Sequence, residues 1–418
     1  MKERAERAIA ECRLIATMTE DRGTEDCGTE QPKRITRRFL TAPVHAVHAR
    51  LRGRMEALGM KVSLDAAGNL RGVWQPEGAA GKRLLLGSHI DTVPDAGAFD
   101  GVLGVTMALE WVGIAQELGL RLAIELIAFS EEEGVRFGLP YLGSRAVAGR
   151  FDNALLKLTD ADGITVDSAL RDFGLDPGRV AEAAVGDDAL CFVEIHIEQG
   201  PLLEAEGLQV AAVTGIVGQT RLTLTFTGHA NHAGTAPMHL RRDALAGAAE
   251  WITAVEALAQ RTEGLAATVG RMIVEPNVGN VVPGVVQVSL DVRHAHDATR
   301  SAAVEDLVAK ATAIATRRGL TIERQDRLDQ PAVPMDERLT AYLNAAIEAA
   351  GYPAKTMASG AGHDAMVMAT RVPTAMLFVR SPGGVSHHPA ETVRAEDVEA
   401  ALHVGREFLL RLSGEQVK

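Results

Sequence analysis

The segment RLLLGSHIDTV, residues 83–93, has the pattern of a buried strand that stops at polar residues, among them His89 and Asp91. Apolar runs without alternating polar positions are typical of strands that are buried on both faces of a parallel sheet. Two more such runs, at 122–130 and 189–200, also end in polar residues. The segment 104–119 is helical in pattern and ends in a glycine. Strands and helices that alternate in this way predict an α/β domain with a mostly parallel central sheet flanked by helices.

The pattern changes near residue 214, where strands begin to alternate between apolar and polar positions. TRLTLTFTG at 220–228 and VVQVSLDVR at 285–293 each place their apolar side chains on one face. This period of two is typical of an antiparallel sheet with one exposed face, and two amphipathic helices accompany it. We therefore predict an α+β domain inserted into the first domain. The predicted bounds are 1–213 and 331–418 for the two parts of the first domain and 214–330 for the insertion.

Length and composition exclude several classes of partner. The chain has 418 residues, which at ~150 residues per domain suggests more than one domain. Its net charge of −12 repels nucleic acid and anionic lipid, and its 4% aromatic content argues against stacking on bases. No apolar run approaches the ~20 residues of a membrane-spanning helix. Cys12, Cys27 and Cys191 have no disulfide or zinc-site spacing, which indicates a reducing compartment. Together these features predict a cytoplasmic protein without nucleic-acid or membrane partners.

Residues of the types that bind metal ions follow the predicted strands. They are His89 and Asp91, Asp100 in a glycine-rich loop, Glu131, Glu132 and Glu133, His196, and the pair His387 and His388. In an open α/β sheet, ligands bind at the carboxyl ends of the strands. Imidazole and carboxylate are ligands of Zn²⁺ and Mn²⁺. Two ions bridged by one carboxylate can activate water for attack on an amide-type carbon, while another acid stays free as the general base.

Each of these features also has a purely structural interpretation. A lone H-x-D is usually a capped strand end, and three consecutive glutamates are usually the solvated start of a helix. His196 on a buried strand fits a hydrogen-bonded core histidine, and the pair at 387–388 fits a polar turn. Their joint placement at the ends of successive strands favours the metal centre.

The inserted domain contributes two further candidates. His232 lies in the turn-like segment HAGTAP, and the alternative is an ordinary surface histidine. Arg293 shares the polar face of its strand with Asp291, which fits an ion pair across the sheet. It also fits capture of a substrate carboxylate, for which a planar guanidinium is suited. An acidic protein needs such a local cation if its substrate is an anion.

Eight motifs together resemble those of a known family. They are GSHIDTV, AGAFDGVLGV, FSEEEGVRFG, EIHIEQGP, HAGTAPM, GNVVPG with LDVR, SGAGHDA and VSHHPAE. In this order, from about residue 30 to about residue 400, they are similar to the dinuclear-metal M20-type amidohydrolases. More narrowly, EEG-x-RF, EQGP and HAGT-x-PM resemble the branch of N-carbamoyl-amino-acid hydrolases, allantoate amidohydrolases and β-ureidopropionases. General M20 peptidases share only the H-x-D, Asp and E-E elements.

The resemblance implies two divalent metal ions in each subunit. Zn or Mn would occupy the sites, and the ligand set also suits Co or Ni. The implied metal ligands are His89, Asp100, Glu133, His196 and His387. Asp100 would bridge the ions, Glu132 would be the general base, and Asp91 would orient its neighbours.

The resemblance also implies the substrate site and the assembly. The implied substrate-binding residues are Gln199, Asn280 and Arg293, while His232 would stabilise the oxyanion from the partner subunit. The fold implied is an aminopeptidase-like catalytic domain with an inserted lid and dimerisation domain, through which the chain forms a homodimer. His229 and His388 depart from the family pattern, which has an acidic residue at the first position and Asn or a small polar residue at the second.

The implied activity is hydrolysis of a ureido C–N bond in a small anionic ureide, with release of ammonia and CO₂. The segments ITRRFLTAP and DAGAFDG resemble allantoate amidohydrolases more closely, although a carboxylate clamp accepts allantoate, N-carbamoyl-α-amino acids and N-carbamoyl-β-alanine alike. One alternative is an M20 peptidase or aminoacylase, against which the EQGP and HAGTAPM motifs count together with Arg293. A second alternative is a non-catalytic metal-binding homologue, against which the intact Glu132 and the full set of ligands count.

Overall fold

The structure is a computed structural model that describes residues 1–21, 34–79 and 81–416. The chain divides into two compact units, one formed by residues 1–214 and 335–418 and the other by residues 215–334. The second unit begins one residue later and ends four residues later than the insertion predicted at 214–330.

Helices and strands follow one another in both units. The first unit begins with α1 (Lys2–Ala16), α2 (Ala42–Ala57), β1 (Lys61–Leu64), β2 (Leu70–Trp74), β3 (Arg83–His89), α3 (Val102–Glu117), β4 (Ala123–Phe129), α4 (Leu142–Val147), α5 (Val166–Asp172), β5 (Ala189–Ile197), α6 (Leu202–Ala205) and β6 (Val210–Ile216). The chain continues with β7 (Gly218–Thr227), β8 (Asn231–His232), α7 (Ala244–Arg261), β9 (Ala266–Thr268), β10 (Met272–Glu275), β11 (Val281–Val282), β12 (Val285–His294), α8 (Asp297–Arg318), β13 (Thr321–Gln330) and β14 (Val333–Pro334). It ends with α9 (Glu337–Ala349), β15 (Thr356–Ser359), α10 (Asp364–Met368), β16 (Thr374–Val379) and α11 (Ala395–Gln416).

The main sheet is mixed, and its centre is parallel. The strand order is β1-β2-β4-β3-β5-β16-β6-β14, with β15 beside β6. The neighbours β4, β3, β5 and β16 run parallel, whereas β2 pairs antiparallel with β4 and β6 pairs antiparallel with β16. The predicted α/β class is therefore confirmed, with the parallel arrangement limited to the central strands. Their carboxyl ends lie at one edge of the sheet.

Helix α3 lies in the middle of the first unit's core. It packs on β3 and β5, while α1 and α11 pack on it in turn. Every residue from Val102 to Ala115 is buried as a result, which explains why this helix has no polar face. Its buried Glu110 is paired with Arg4 at 2.7 Å and with Arg7 at 2.6 Å, both on α1. Such pairing stabilises the charged form of a buried carboxylate, whose transfer from water is otherwise costly.

The second unit is a sheet with helices on one face. Its strand order is β10-β12-β7-β13, with β9 beside β12, and the pairings of β12 and β7 are antiparallel. The alternating apolar residues predicted from the sequence are buried against α7 and α8. The indole of Trp251 on α7 donates to the Leu307 carbonyl of α8 at 2.8 Å, which links the two helices. The other face of the sheet is polar.

Two further features concern helix hydrophobicity and the cysteines. None of the helices in the described part of the chain is both long and apolar enough to cross a membrane. Cys12 and Cys191 are buried free thiols. Cys27 lies outside the described residues.

A packing prediction follows from Gly405 on α11. A Cβ atom there would lie 2.2 Å from the buried ring of Trp111 on α3. We expect Gly405→Ala to lower the free energy of unfolding by about 1–3 kcal/mol, as overpacking does. Gly414→Ala on the same helix meets nothing within 4 Å and is the matched control, for which helix propensity predicts a small gain of at most about 1 kcal/mol. Urea unfolding followed by circular dichroism measures both, and equal stabilities would contradict the packing.

Candidate metal centre

The central strands deliver polar side chains to one edge of the first unit's sheet. β3 ends at His89, β5 carries His196 next to its last residue, and Glu132 with Glu133 follows β4. The loop after β16 brings His387 to the same place, within hydrogen-bonding distance of Asp100. Because parallel strands end at the same edge, residues far apart in the sequence become neighbours.

Asp100 lies between two groups of side chains that could each hold an ion. One group is His89, Asp100 and His196, and the other is Asp100, Glu133 and His387. Within each group the candidate ligand atoms all lie within 4.8 Å of one another. Oδ1 of Asp100 is 3.1 Å from His196 Nε2 and 3.7 Å from His89 Nε2. Oδ2 is 3.1 Å from His387 Nε2, so the two carboxylate oxygens face different groups.

The orientation of the histidines fits metal ligation. His89 turns Nδ1 to the backbone carbonyl of Asp91 at 3.0 Å, and His196 turns Nδ1 to that of Ile197 at 2.9 Å. A carbonyl only accepts, so each Nδ1 carries a proton, and in the neutral ring each Nε2 presents its lone pair toward Asp100. Metal-binding histidines are held by such contacts on their other nitrogen. Asp100 Oδ1 is buried and accepts no hydrogen bond of suitable geometry from the residues that the structure describes, so a cation would satisfy this oxygen.

The cluster attracts positive charge. Burial alone would raise the pKa of Asp100, but the adjacent imidazoles of His196, His387 and His89 outweigh it and lower that pKa well below its usual range. The hydrogen bonds of His387 to Asp100 and Glu133 raise its pKa to about 10. A ligating imidazole must be neutral, so protons and metal ions compete for this site.

Glu132 lies beside both groups but belongs to neither of them. With His89 and Glu133 it forms a further close group, yet its carboxylate has no hydrogen bond or ion pair to any residue that the structure describes. Burial raises its pKa well above the usual value, and the neighbouring Glu133 raises it further. A carboxylate with a raised pKa is a stronger base, which suits proton transfer near neutral pH. Glu131 is fully buried, belongs to none of these groups, and has a pKa raised mainly by burial.

Asp91 fixes the turn that carries these acids. Its Oδ1 accepts the backbone N–H of Glu132 and its Oδ2 accepts that of Glu133, both at 3.0 Å. The carboxylate is fully buried and holds the turn at the sheet edge through these two hydrogen bonds.

Gly101 allows the chain to pass close to His89. It has φ +66°, and a Cβ atom there would lie 2.5 Å from the His89 ring, so only glycine allows this approach.

Gln199 is part of the cluster in this structure. Its Nε2 donates to Asp100 Oδ2 at 3.1 Å and to Ser386 Oγ at 3.2 Å. Its Oε1 is buried and accepts nothing from the described residues. The side chain therefore contacts the carboxylate that both groups share, and its Oε1 can still accept a hydrogen bond.

Glu391 was not predicted as a site residue from the sequence, but it supports the cluster. Its Oε1 accepts the backbone N–H groups of Phe99 at 2.8 Å and of Asp100 at 3.0 Å, and its Oε2 accepts from Ser386 Oγ at 3.1 Å. One buried carboxylate thus ties the Asp100 loop to the loop of His387. The only signal in the sequence was its place at the end of VSHHPAE.

His388 belongs to the turn rather than to the cluster. Its Nδ1 accepts the N–H of Ala390 at 3.1 Å, and its carbonyl accepts that of Glu391 at 3.0 Å. The side chain is exposed and is in none of the groups that could hold an ion. The imidazole that faces Asp100 is therefore that of His387.

The other predicted site residues lie in the second unit. β8 pairs with β11, which places His232 opposite Val281, and the N–H of Ala233 donates to the Asn280 carbonyl at 2.9 Å. His232 is exposed and its Nδ1 accepts from Gly234 at 3.0 Å, so a neutral ring carries its proton on Nε2. His229 is exposed as well.

Arg293 is ion-paired in this structure. Its Nε donates to Asp291 Oδ1 at 3.0 Å and one terminal nitrogen donates to Oδ2 at 3.1 Å. Arg221 of β7 donates to the same carboxylate at 2.9 Å. The ion pair with Asp291 is therefore present, and the side chain of Arg293 remains about one third exposed.

Comparison with known proteins relates this geometry to a family. Residues 85–411 match the family described as Peptidase family M20/M25/M40. The chain is 36% identical to an allantoate deiminase of Arabidopsis thaliana, over 96% of this chain and 82% of the relative. It is 37% identical to an N-carbamoyl-L-amino acid amidohydrolase of Geobacillus stearothermophilus, over 91% of this chain and 93% of the relative. A solved amidase of the hydantoinase/carbamoylase family from Burkholderia multivorans superposes with a TM-score of 0.89 at 32% identity, covering 97% of each chain.

Metal content tests the two groups separately. We expect the loaded protein to retain about two ions per chain, His387→Ala about one, and Asp100→Asn fewer than one, because only Asp100 serves both groups. His388→Ala is the matched control and should retain about two. Plasma mass spectrometry after desalting gives the counts. Loss of an ion in His388→Ala but not in His387→Ala would contradict the assignment.

Glu391 provides a second test of how the cluster is held. Glu391→Ala releases the Asp100 loop and should weaken metal binding by about 10–100-fold, as loss of supporting contacts does. Glu391→Gln should stay close to the unchanged protein, since its oxygen can accept both N–H groups and its NH₂ can donate to Ser386. Competition with a chromogenic chelator measures the affinities. Unchanged affinity in Glu391→Ala would show that the loop does not depend on this contact.

Proposed function

The chain belongs to the M20/M25/M40 peptidase family, as its motifs predict, and we propose that it hydrolyses a ureido C–N bond in a small carboxylate substrate, releasing ammonia and CO₂. The proposed substrate is allantoate or an N-carbamoyl-L-amino acid. The observation that carries the proposal is the pair of ligand groups that share Asp100, with the unpaired Glu132 beside them. The names of the two relatives, an allantoate deiminase and an N-carbamoyl-L-amino acid amidohydrolase, supply the substrate class.

We propose that the cluster holds two divalent ions. His89, His196 and Asp100 would bind one, and Asp100, Glu133 and His387 the other. The mixed imidazole and carboxylate set suits Zn or Mn, and also Co or Ni. Bound there, the ions would lower the pKa of water and polarise the carbonyl of the substrate.

Glu132 is the proposed general base and acid. Its unpaired carboxylate takes a proton from water as the water oxygen bonds to the carbamoyl carbon. The C–N bond then breaks, and the protonated carboxyl returns that proton to the leaving nitrogen. Asp91 keeps the carboxylate in place through the backbone of residue 132. Burial supports the first step, since it favours the protonated form of the carboxyl group more than solvent does.

Further residues are proposed to bind the substrate. Arg293 would hold the carboxylate, with Asn280 and Gln199 as further hydrogen-bonding partners. His232 would donate from Nε2 to the oxyanion, for which its tautomer is suited. We propose that it does so from a partner subunit, in a homodimer formed through the inserted lid and dimerisation domain. The free thiols Cys12 and Cys191 support a cytoplasmic location.

The role of Glu132 can be tested against its neighbour. We expect Glu132→Gln to lower kcat by about 10²–10⁴-fold with unchanged metal content, because the base is lost while the ligands remain. Glu131→Gln is the control, as Glu131 is buried outside the ligand groups, and its kcat should stay within a few-fold of the unchanged protein. Ammonia release with metal analysis gives both values. Comparable activity losses in the two variants would exclude a specific role for Glu132.

A substrate panel tests the class of reaction. We would assay the metal-loaded chain with allantoate, N-carbamoyl-L-amino acids, N-carbamoyl-β-alanine and a dipeptide. We expect turnover of a ureide and none of the dipeptide. Cleavage of the dipeptide alone would assign the chain to the peptidase or aminoacylase alternative. Turnover of none, with two ions bound, would favour the non-catalytic metal-binding alternative.

A further inference from the structure

The polar face of the second unit's sheet contains an arginine-rich cavity. Its volume is about 750 Å³, within the range of small-molecule sites. Four arginines line it, Arg221, Arg271, Arg293 and Arg327. Asp291 is the one acidic side chain among its lining residues in the described part of the chain. We call this space the arginine cavity.

The positive charge of the arginine cavity is mostly uncompensated. Asp291 accepts hydrogen bonds from Arg293, Arg221 and Gln219, which occupies both of its oxygens. Arg271 and Arg327 form no ion pair with any residue that the structure describes, and both are exposed. Four guanidinium groups therefore face one carboxylate, in a protein whose net charge is −12.

The strands fix where these charges lie. Arg221 on β7 is paired directly opposite Asp291 on β12, and Arg293 follows two positions later on the same face. Arg327 is the extra residue of the β-bulge in β13 next to Arg221. Arg271 is held by backbone hydrogen bonds with Ser289, from its N–H to Ser289 Oγ at 2.9 Å and from Ser289 N–H to its carbonyl at 3.0 Å. The sheet thus presents the paired arginines together with two free ones.

We propose that the arginine cavity binds a second anionic group of the substrate, so that the preferred ureide is a dianion such as an N-carbamoyl derivative of a dicarboxylic amino acid. The proposal rests on the proposed function, in which Arg293 holds the first carboxylate. Asp291 keeps Arg293 and Arg221 in position, and Arg271 and Arg327 supply the charges for the second group. A planar guanidinium binds carboxylate in two-point fashion, which adds geometric selectivity to the charge.

Kinetics with an isosteric substrate pair test the charge directly. N-carbamoyl-L-glutamate and N-carbamoyl-L-glutamine have the same shape and differ by one negative charge. We expect the metal-loaded full-length protein to show a KM about tenfold lower for the glutamate derivative, the ratio that one charge-assisted hydrogen bond supplies. Arg271→Gln or Arg327→Gln should remove this advantage and leave the KM for the glutamine derivative within about twofold. Ionic strength is held constant because exposed charges are screened.

Arg324 offers a matched control on the same strand as Arg327. It does not line the arginine cavity and is ion-paired with Glu305 and Asp326. Arg324→Gln should leave the KM ratio unchanged. An equal loss in Arg324→Gln would show that net charge rather than the cavity sets the preference, and would overturn the proposal.

An equilibrium measurement separates this proposal from the proposed function. Calorimetry would compare glutarate with its neutral-ended isostere glutaramate on the full-length protein. We expect glutarate to bind about tenfold more tightly than glutaramate, and Arg271→Gln to remove this difference. That result would support anion binding in the arginine cavity even if no ureide is turned over. Ureide turnover without any preference for the dianion, or turnover of allantoate alone, would overturn the proposed role of the arginine cavity. The proposed function would remain supported. Absence of both turnover and glutarate binding would overturn both.

Discussion

A single buried carboxylate, that of Asp100, determines the arrangement of the candidate metal centre. Its two oxygens face two separate groups of ligands, and its backbone N–H is held by Glu391. A buried carboxylate is strongly unfavourable unless positive charge surrounds it. The histidines from β3, β5 and the loop after β16 provide that environment, either as protonated groups or as ligands of cations. The requirement to compensate one anion thus couples three chain segments that are distant in sequence.

The fold meets this requirement through its parallel centre. Because β3, β5 and β16 are adjacent and parallel, their carboxyl ends deliver His89, His196 and the His387 loop to one edge. The layer of α3, α1 and α11 forms the apolar core that fixes these strands. Supporting contacts then set the side-chain directions: backbone carbonyls orient two imidazoles, and Asp91 holds the turn of Glu132 and Glu133. The same parallel strands therefore form the core of the fold and position the candidate metal centre.

Local patterns in the sequence predicted the strand ends, the change of period near residue 214, and the residues that converge at the sheet edge. They did not predict Glu391, because its contact with Asp100 joins residues 291 positions apart and leaves no periodic signature. The prediction of a mostly parallel sheet left open which strands run antiparallel, because strand direction depends on long-range pairing. Arg293 is instructive in another way. Its neighbour Asp291 was visible on the same strand, but the role of Arg221 and the presence of Arg271 and Arg327 in one cavity required the register of β7, β12 and β13.

Anomalous diffraction from a crystal of the manganese-loaded protein tests whether Asp100 bridges two cations. We expect two anomalous peaks about 3.5–4 Å apart, the spacing of dinuclear hydrolytic sites, one on each side of the Asp100 carboxylate. One peak should be ligated by His89 and His196 and the other by Glu133 and His387. A single peak, or two peaks that do not share Asp100, would contradict the account.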